Sequence, residues 1–423
     1  MKIVIFTIGT QGDARPFVAL GQRLKALGHG VTIATDDRHA ALITGGSLEH
    51  ATLSSDFVEL MSRQQGAMDK GQQLRATLGM RKAIIEWLPT WIAQGKAAAE
   101  GADLIIGSGS GTVLAASIAE QQGTGFAQAQ FFPMGPSRYI PPLWPSPKKP
   151  LWGPASLALG LSVRFLLWRF QAGPANNIRK ALGLPRLPFF GPWVLKEQRN
   201  RRHILYAYSR HLLPQPPDWP QDQIAVTGNW FYEEASNWQP PQDLLDFLEF
   251  GPTPIYIGFG SMMHSKTKEL ARLFTDTIKA TGQRAVILTG WGALDPQTIA
   301  EAGNPDIYCA KSLPHDWLLP RVKLAITHGG AGTIAAAARV GIPQIILPFA
   351  ADQPYWRYQT HQIGINPIML DRKTLDRATL ARAIELALGP QAVARAHALK
   401  QGMDQEDGIN NAIDALRRWK LLP

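Results

Sequence analysis

Residues 324–350 read LAITHGGAGTIAAAARVGIPQIILPFA. Their pattern predicts a strand, a loop, a helix and a second strand, which is the order of elements in an α/β fold. The apolar run 324–327 predicts a buried strand, and the glycine-rich residues 328–333 predict a loop. Small residues through Arg339 then predict a helix, and the run 344–347 predicts the next strand. A strand, a helix and a strand in this order form a βαβ unit, which implies a parallel sheet covered by helices.

The start of the chain has the same order of elements. Residues 3–8 predict a buried strand, and residues 9–13, GTQGD, predict a loop. A helix with Pro16 in its first turn follows and ends at Gly28, and residues 31–34 predict the next strand. Because the chain has 423 residues, it is long enough for a separate domain around each sheet.

The predicted architecture is therefore α/β, with two doubly wound, Rossmann-like domains that face each other across a cleft. We predict an N-terminal domain over 1–235, a linker over 236–253 and a C-terminal domain over 254–404. Residues 405–423 are expected to form a C-terminal helix that packs back toward the N-terminal domain. Ligands bind such sheets at the carboxyl ends of the strands, where both glycine loops fall.

Composition excludes several classes of protein. The single cysteine, Cys309, rules out an internal disulfide and is typical of a reducing compartment; its strand-like surroundings predict a buried, inert thiol. The apolar run 3–6 is too short for a targeting signal, and the longest uncharged apolar stretch, 150–163, is too short to span a bilayer. We therefore expect a cytoplasmic protein.

The formal charge of +10 is concentrated in one segment. Between Arg138 and Arg202 the chain has twelve Lys or Arg residues and one acid, Glu197. The same segment contains four tryptophans: Trp144, Trp152, Trp168 and Trp193. A basic and aromatic segment suits an anionic membrane surface, but it is equally consistent with an ordinary basic face whose tryptophans are core. No nucleic-acid recognition motif accompanies the charge, so nucleic acid is not an expected partner.

The loop 328–333, HGGAGT, has the chemistry of an anion site. Its glycines allow backbone N–H groups to approach a phosphate, and the following helix adds its positive end. Thr333 offers a hydroxyl and His328 a ring N–H. The alternative is a glycine loop that only allows tight packing. No Asp-x-Asp string and no paired histidine spacing is present, so no metal site is predicted.

Three strings together carry a resemblance to a known family. They are 313–318 (LPHDWL), 328–333 (HGGAGT) and 348–356 (PFAADQPYW), and in this order they resemble the nucleotide-sugar signature of UDP-glycosyltransferases with the GT-B fold. The opening 9–21, GTQGDARPFVALG, is similar to sterol glucosyltransferases and antibiotic glycosyltransferases. The likeness covers most of the chain and is weakest over 47–101.

The resemblance implies a donor site in the C-terminal domain and an acceptor site in the N-terminal domain. It implies that Leu313 presents backbone groups to the uracil edge and that Asp352 and Gln353 hydrogen-bond the sugar hydroxyls. The diphosphate would be held, with His328 beside it, by backbone and hydroxyl donors of Ser261, Gly330, Ala331, Gly332 and Thr333. Alternatively, Asp352 only caps a helix and Gln353 is exposed.

Asp13 is the candidate catalytic base. Plant members of the family usually have a histidine in this loop, whereas the sterol and antibiotic groups have the same aspartate. A carboxylate can accept the acceptor's proton as the hydroxyl becomes acidic during attack. The alternative is that Asp13 only caps the helix that follows it.

The resemblance thus implies an inverting, metal-independent transferase that moves a hexose, with glucose expected, from a UDP-sugar to a lipophilic alcohol. The acceptor would be sterol-like, polycyclic or a lipid, and no cofactor is expected besides the UDP-sugar co-substrate. A UDP-sugar epimerase of the same architecture and a non-catalytic helper protein remain alternatives. Peripheral contact with the inner face of an anionic membrane is expected if the basic segment is an interface.

Overall fold

The computed structural model describes residues 1–56, 59–60, 63, 73–200, 202–234, 238–262 and 266–423. These residues form two compact units. The first unit holds the described residues of Met1–Gln64 together with Gln73–Tyr232 and Glu406–Pro423. The second unit holds those of Glu233–Gln405.

The first unit is built on a seven-stranded parallel sheet with the order β3-β2-β1-β4-β5-β6-β7. Its strands are β1 (Lys2–Phe6), β2 (Gly30–Thr35), β3 (Glu49–Thr52), β4 (Leu104–Ser108), β5 (Gly125–Gln130), β6 (His203–Tyr206) and β7 (Ile224–Val226). The helices of this unit that precede the second unit in sequence are α1 (Gln11–Ala26), α2 (Ala40–Gly45), α3 (Gln73–Ala98), α4 (Thr112–Gln122), α5 (Gly153–Ala181) and α6 (Lys196–Asn200).

Both faces of this sheet are buried, which explains the continuous apolar run of β1. Successive side chains of a strand point to opposite faces. Ile3 and Ile5 pack into one hydrophobic cluster with α1, and Val4 and Phe6 pack into another with α3 and α4. A parallel sheet between two helical layers is the result.

The second unit has a five-stranded parallel sheet with the order β10-β9-β8-β11-β12. Its strands are β8 (Ile255–Gly258), β9 (Ala285–Leu288), β10 (Ile307–Ala310), β11 (Ala325–Thr327) and β12 (Gln344–Ile346). Its helices are α7 (Gln242–Glu249), α8 (Thr267–Thr281), α9 (Pro296–Glu301), α10 (His315–Leu318), α11 (Ala331–Val340), α12 (Gln353–Gln362), α13 (Arg377–Ala387) and α14 (Pro390–Met403). The two parallel α/β units confirm the predicted fold class.

Each sheet has one point at which the strand order reverses. In the first sheet it lies between β1 and β4, and in the second between β8 and β11. Loops diverge at such a point and leave a crevice at the carboxyl ends of the two strands. Asp13 lies in the first turn of α1, directly after the loop that follows β1, and His328 lies in the loop after β11, so both candidate sites lie at a reversal point.

Two segments near the expected domain boundaries are helical. Within 236–253, expected to be a linker, residues 242–249 form α7, and the Arg284 guanidinium lies 4.1 Å from the ring centroid of Phe247 in the same unit. The last helix, α15 (Gly408–Arg418), belongs to the first unit. Its Ile413 and Leu416 lie in the cluster that covers one face of the first sheet.

The structure bears on two predictions made from composition, on membrane-spanning helices and on the burial of Cys309. Among the described residues, no helix is long and apolar enough to cross a bilayer. The prediction of a buried thiol is wrong, because Cys309 is exposed. It lies on β10, an edge strand, where helices do not cover the side chain as they cover those of the central strands.

Candidate active site

The carboxylate of Asp13 is held at the first turn of α1. Its Oδ2 accepts hydrogen bonds from the backbone N–H of Thr10, at 2.7 Å, and from the Thr10 hydroxyl, at 3.1 Å. Thr10 is the N-cap residue and Asp13 the third residue of the helix, which is the arrangement of a capping box. The capping role considered for Asp13 is therefore present in the structure.

The other oxygen of the same carboxylate is uncommitted. Asp13 Oδ1 accepts no hydrogen bond from any described residue. Burial raises the pKa of the Asp13 carboxyl; the two bonds from Thr10 and the nearby His39 oppose that rise. A half-buried carboxylate with one oxygen fixed and the other available can both cap the helix and accept a proton.

Gly9 allows the loop to close against this carboxylate. A Cβ atom at position 9 would overlap Asp13 Oδ2, so only glycine fits here. The geometry of this turn thus depends on a residue without a side chain, next to the candidate base.

His328 lies at the reversal point of the second sheet, directly after β11. A Cβ atom at Gly330 would lie 2.6 Å from its Nε2, and one at Gly260 would lie 3.3 Å from its Cε1. The imidazole therefore sits between the loop that follows β8 and the loop that follows β11. Burial, together with the nearby His315, lowers the pKa of His328 to about 4, so the ring is neutral near pH 7.

The two ring nitrogens of His328 differ in their surroundings. Nδ1 is buried and has no hydrogen-bond partner among the described residues. Nε2 faces Gly330, at the beginning of α11. His328 can therefore donate a hydrogen bond to a phosphate from a neutral imidazole. A protonated histidine would donate from a positively charged ring instead.

The N-terminus of α11 is open. The helix begins after Gly330 with no side-chain cap, and a Cβ atom at Gly332 would meet nothing within 4 Å. Ala331, Gly332 and Thr333 are the first three residues of this ten-residue helix, and their N–H groups have no partner within the helix itself. Such an end is suited to a diphosphate.

Gln353 makes its hydrogen bonds within the second unit. It is buried, so the expectation of an exposed side chain is wrong. Its Oε1 accepts hydrogen bonds from the N–H groups of Phe349, at 2.7 Å, and Ala350, at 3.0 Å, and its Nε2 lies 3.4 Å from Met262 Sδ. In this arrangement the amide oxygen holds the loop before α12, and the amide nitrogen contacts Met262.

Asp352 is the N-cap residue of α12, but its side chain makes no capping hydrogen bond. The residue before it, Ala351, has φ 56°, a left-handed value that is uncommon for residues other than glycine. The backbone therefore turns sharply just before the two residues expected to contact the sugar.

Ser261 and Leu313 lie in the segments that follow β8 and β10 of the second unit. Ser261 is in the turn after β8, one residue from the Met262 side chain that contacts Gln353. Leu313 is half-buried just before α10, where His315 Nε2 lies 3.0 Å from the hydroxyl of Tyr256 on β8. The structure thus brings Ser261, His328, the start of α11 and Gln353 together, with the Leu313 loop tethered to the same strand.

The basic segment 138–202 is partly core and partly surface. Of its tryptophans, Trp168 is buried and donates from Nε1 to the carbonyls of Pro188 and Phe189, and only Trp152 is exposed. The apolar surface is formed mainly by other residues. The Arg169 guanidinium lies 4.0 Å from the Phe189 ring centroid, and that of Arg164 lies 4.4 Å from the Trp193 ring centroid.

Sequence reasoning missed three features of these sites. Asp13 was considered as a cap, but Thr10 was missed as the N-cap residue, although the Thr-x-x-Asp spacing is a readable capping-box signal. His39, which lies beside Asp13, and Tyr256, which hydrogen-bonds His315, had no local signal because their partners are distant in sequence.

Among the described residues, no cluster of His, Cys, Asp or Glu could hold a metal ion.

Two family models match the chain. Residues 3–134 match the glycosyltransferase family 28 N-terminal domain, and residues 294–407 match the erythromycin biosynthesis protein CIII-like, C-terminal domain. Among solved structures, the glycosyltransferase of kitacinnamycin is similar over 100% of this chain and 99% of its own, with 20% identity and a TM-score of 0.73. Glycosyltransferase VinC, solved in complex with dTDP, is similar over 99% and 100%, with 17% identity and a TM-score of 0.67.

Curated relatives match nearly the whole chain. A sterol 3-beta-glucosyltransferase of Arabidopsis thaliana is 30% identical over 99% of this chain and 68% of its own length. Another, of Debaryomyces hansenii, is 31% identical over 98% of this chain and 26% of its own length. The chain thus spans about a quarter of the fungal relatives and about two thirds of the plant relative.

Proposed function

Because this chain belongs to the sterol 3-beta-glucosyltransferase family, we propose that it transfers glucose from UDP-glucose to the hydroxyl group of a sterol or a similar lipophilic alcohol. The observation that carries this proposal is the extent of the similarity. It covers 99% of the chain and therefore includes both Asp13 and the whole donor segment 313–353. The proposed reaction needs no cofactor, because the UDP-sugar is itself a co-substrate.

The proposed reaction needs one base and one stabilised leaving group. Asp13 Oδ1 accepts the proton of the acceptor hydroxyl while the hydroxyl oxygen forms a bond to the anomeric carbon of the sugar. The bond from that carbon to the UDP oxygen breaks at the same time, and the configuration inverts. The negative charge that develops on UDP is stabilised by the open N-terminus of α11 and by the Nε2–H of His328, with no metal ion required.

A direct assay separates this proposal from its alternatives. Purified protein is mixed with UDP-glucose and a panel of sterols and non-sterol lipid alcohols, and products are identified by mass spectrometry. A glucosylated sterol, with UDP released in equal amount only when acceptor is present, supports the proposal. Isomerised UDP-sugar without acceptor would identify an epimerase, and an absence of UDP release would identify a helper; either result overturns the proposal.

We further propose that a cytoplasmic enzyme of this kind docks on the inner face of an anionic membrane through the first unit. Thirteen large hydrophobic side chains are exposed among the described residues, and nine of them lie in 139–195. They are Tyr139, Leu151, Trp152, Leu161, Leu166, Phe189, Phe190, Val194 and Leu195. Phe189 packs against Phe190 and Phe165, and Arg169 lies against Phe189, so an apolar patch has cationic side chains beside it. This combination suits an anionic lipid surface from which a lipophilic acceptor is drawn.

Vesicle binding tests the membrane proposal independently of catalysis. Replacing Lys148, Lys149 and Arg169 by Gln should weaken co-sedimentation with phosphatidylglycerol vesicles by up to about a hundredfold at low salt, because each basic residue contributes about 1 kcal/mol near such a surface. The matched control replaces three exposed lysines of the second unit, Lys268, Lys279 and Lys373, and should change binding little. Equal binding of the wild type to phosphatidylglycerol and phosphatidylcholine vesicles would refute the membrane proposal and favour an ordinary basic face.

A further inference from the structure

His39 is a buried histidine at the carboxyl edge of the first sheet. It ends the short 3-10 helix Asp37–His39 that follows β2, and its exposed fraction is 4%. The turn that carries it is fixed by Asp36, whose carboxylate accepts hydrogen bonds from the backbone N–H of Arg38, at 3.0 Å, and from the hydroxyl of Ser55, at 2.7 Å. The position of the imidazole is therefore set by β2 and its neighbours, not by α1.

The ring of His39 reaches across to the loop that holds Asp13. Nε2 lies 3.2 Å from the carbonyl oxygen of Gly9. A carbonyl only accepts hydrogen bonds, so Nε2 carries the hydrogen in this contact. Nδ1 is buried and has no partner among the described residues. A buried polar atom without a partner costs free energy, and an apolar side chain at position 39 would avoid that cost.

Gly9 connects this contact to the candidate base. It is the residue whose Cα lies so close to the Asp13 carboxylate that a Cβ atom would overlap Oδ2. The next residue, Thr10, donates both of the hydrogen bonds that fix that oxygen. A shift of the Gly9 carbonyl therefore also moves the Gly9 Cα, against which the Asp13 carboxylate packs. It moves the two Thr10 donors that orient that carboxylate as well.

We propose that His39 is a positioning residue for Asp13: its Nε2–H holds the Gly9 carbonyl and so fixes the direction in which the free Oδ1 of the base points. This proposal rests on the function proposed above for Asp13. His39 does not touch the substrate in this scheme. It acts on turnover through the loop 9–13 and has no role in binding UDP-glucose, which is the task of the second unit.

The test compares two substitutions at position 39. His39→Leu removes the donor, and we expect kcat for the sterol acceptor to fall about tenfold while KM for UDP-glucose changes less than about twofold. His39→Gln places an amide N–H where Nε2 was, and we expect it to restore most of the lost kcat. The matched control is His50→Leu, because His50 Nε2 makes the same kind of contact, 3.3 Å from the Thr35 carbonyl, on the neighbouring strand β3.

The outcomes distinguish this proposal from the base role itself. Rescue by Gln, with His50→Leu near wild type, supports a positioning role. If His39→Leu keeps full kcat, or if Leu and Gln lose activity equally while both melt like the wild type, the positioning role is overturned. A fully active Asp13→Asn variant would instead overturn the proposed base, whatever the His39 variants show.

Discussion

The most informative perturbation is a pair of substitutions at Asp13, because the structure shows this side chain in a capping box and also with a free oxygen. Asp13→Asn keeps an oxygen that can accept both hydrogen bonds from Thr10, so the cap survives while the base is lost. Asp13→Ala removes cap and base together. We expect both variants to lose turnover by roughly a hundredfold or more, the usual scale for a positioned general base.

Stability should separate the two variants. Loss of the Thr10 hydrogen bonds in Asp13→Ala should cost about 1–2 kcal/mol, which lowers Tm by about 2–4 °C for each kcal/mol in a domain of this size. Asp13→Asn should be as stable as the wild type or more so near pH 7. Burial raises the pKa of this carboxyl above its ordinary 3.8, so its contribution to folding is fully present below that value and is lost as pH rises through the raised value.

The assay is steady-state turnover of UDP-glucose with a sterol, measured beside calorimetric UDP binding and thermal unfolding. UDP affinity should stay within about twofold in both variants, because the proposed donor site belongs to the second unit. Turnover of the wild type should rise with pH through the raised pKa of Asp13, since only the ionised carboxylate accepts a proton. If Asp13→Asn turns over within a few-fold of the wild type and only Asp13→Ala is impaired, Asp13 is a helix cap and the catalytic reasoning fails.

Three further predictions concern the second unit. His328→Ala and Thr333→Ala should each weaken UDP binding about tenfold or more, because each removes a donor to a charged phosphate; unchanged calorimetric affinity in both would mean that the glycine loop only packs. Since the pKa of His328 is about 4, wild type and His328→Gln should show the same pH dependence of UDP affinity between about pH 5.5 and 8, and a step near pH 6.5 that the wild type has and the variant lacks would contradict a neutral ring. EDTA should leave the wild-type rate unchanged, whereas loss of activity that Mg²⁺ or Mn²⁺ restores would refute the metal-independent mechanism.

The sequence by itself determined the elements and the order in which they alternate. Apolar runs such as 324–327 and 344–347, separated by a glycine loop and a helix, required a parallel sheet, and the structure has both as strands of one sheet. Hydrophobic periodicity and glycine positions are properties of contiguous residues, so they can be read without knowing what packs against them. For the same reason the signature 328–333 could be placed at the start of a helix before any fold was known.

Only the tertiary structure decided which groups each side chain hydrogen-bonds and which strand side chains are covered by helices. An exposed Gln353 was one alternative, yet the side chain is buried and its oxygen accepts hydrogen bonds from the N–H groups of Phe349 and Ala350. Cys309 was expected to be buried, but its strand lies at the edge of the sheet. His39 had no signal at all, because its contact with Gly9 joins residues 30 positions apart in the segments that follow two different strands. Strand order and side-chain direction depend on the closing of loops between distant segments, and no local pattern encodes either.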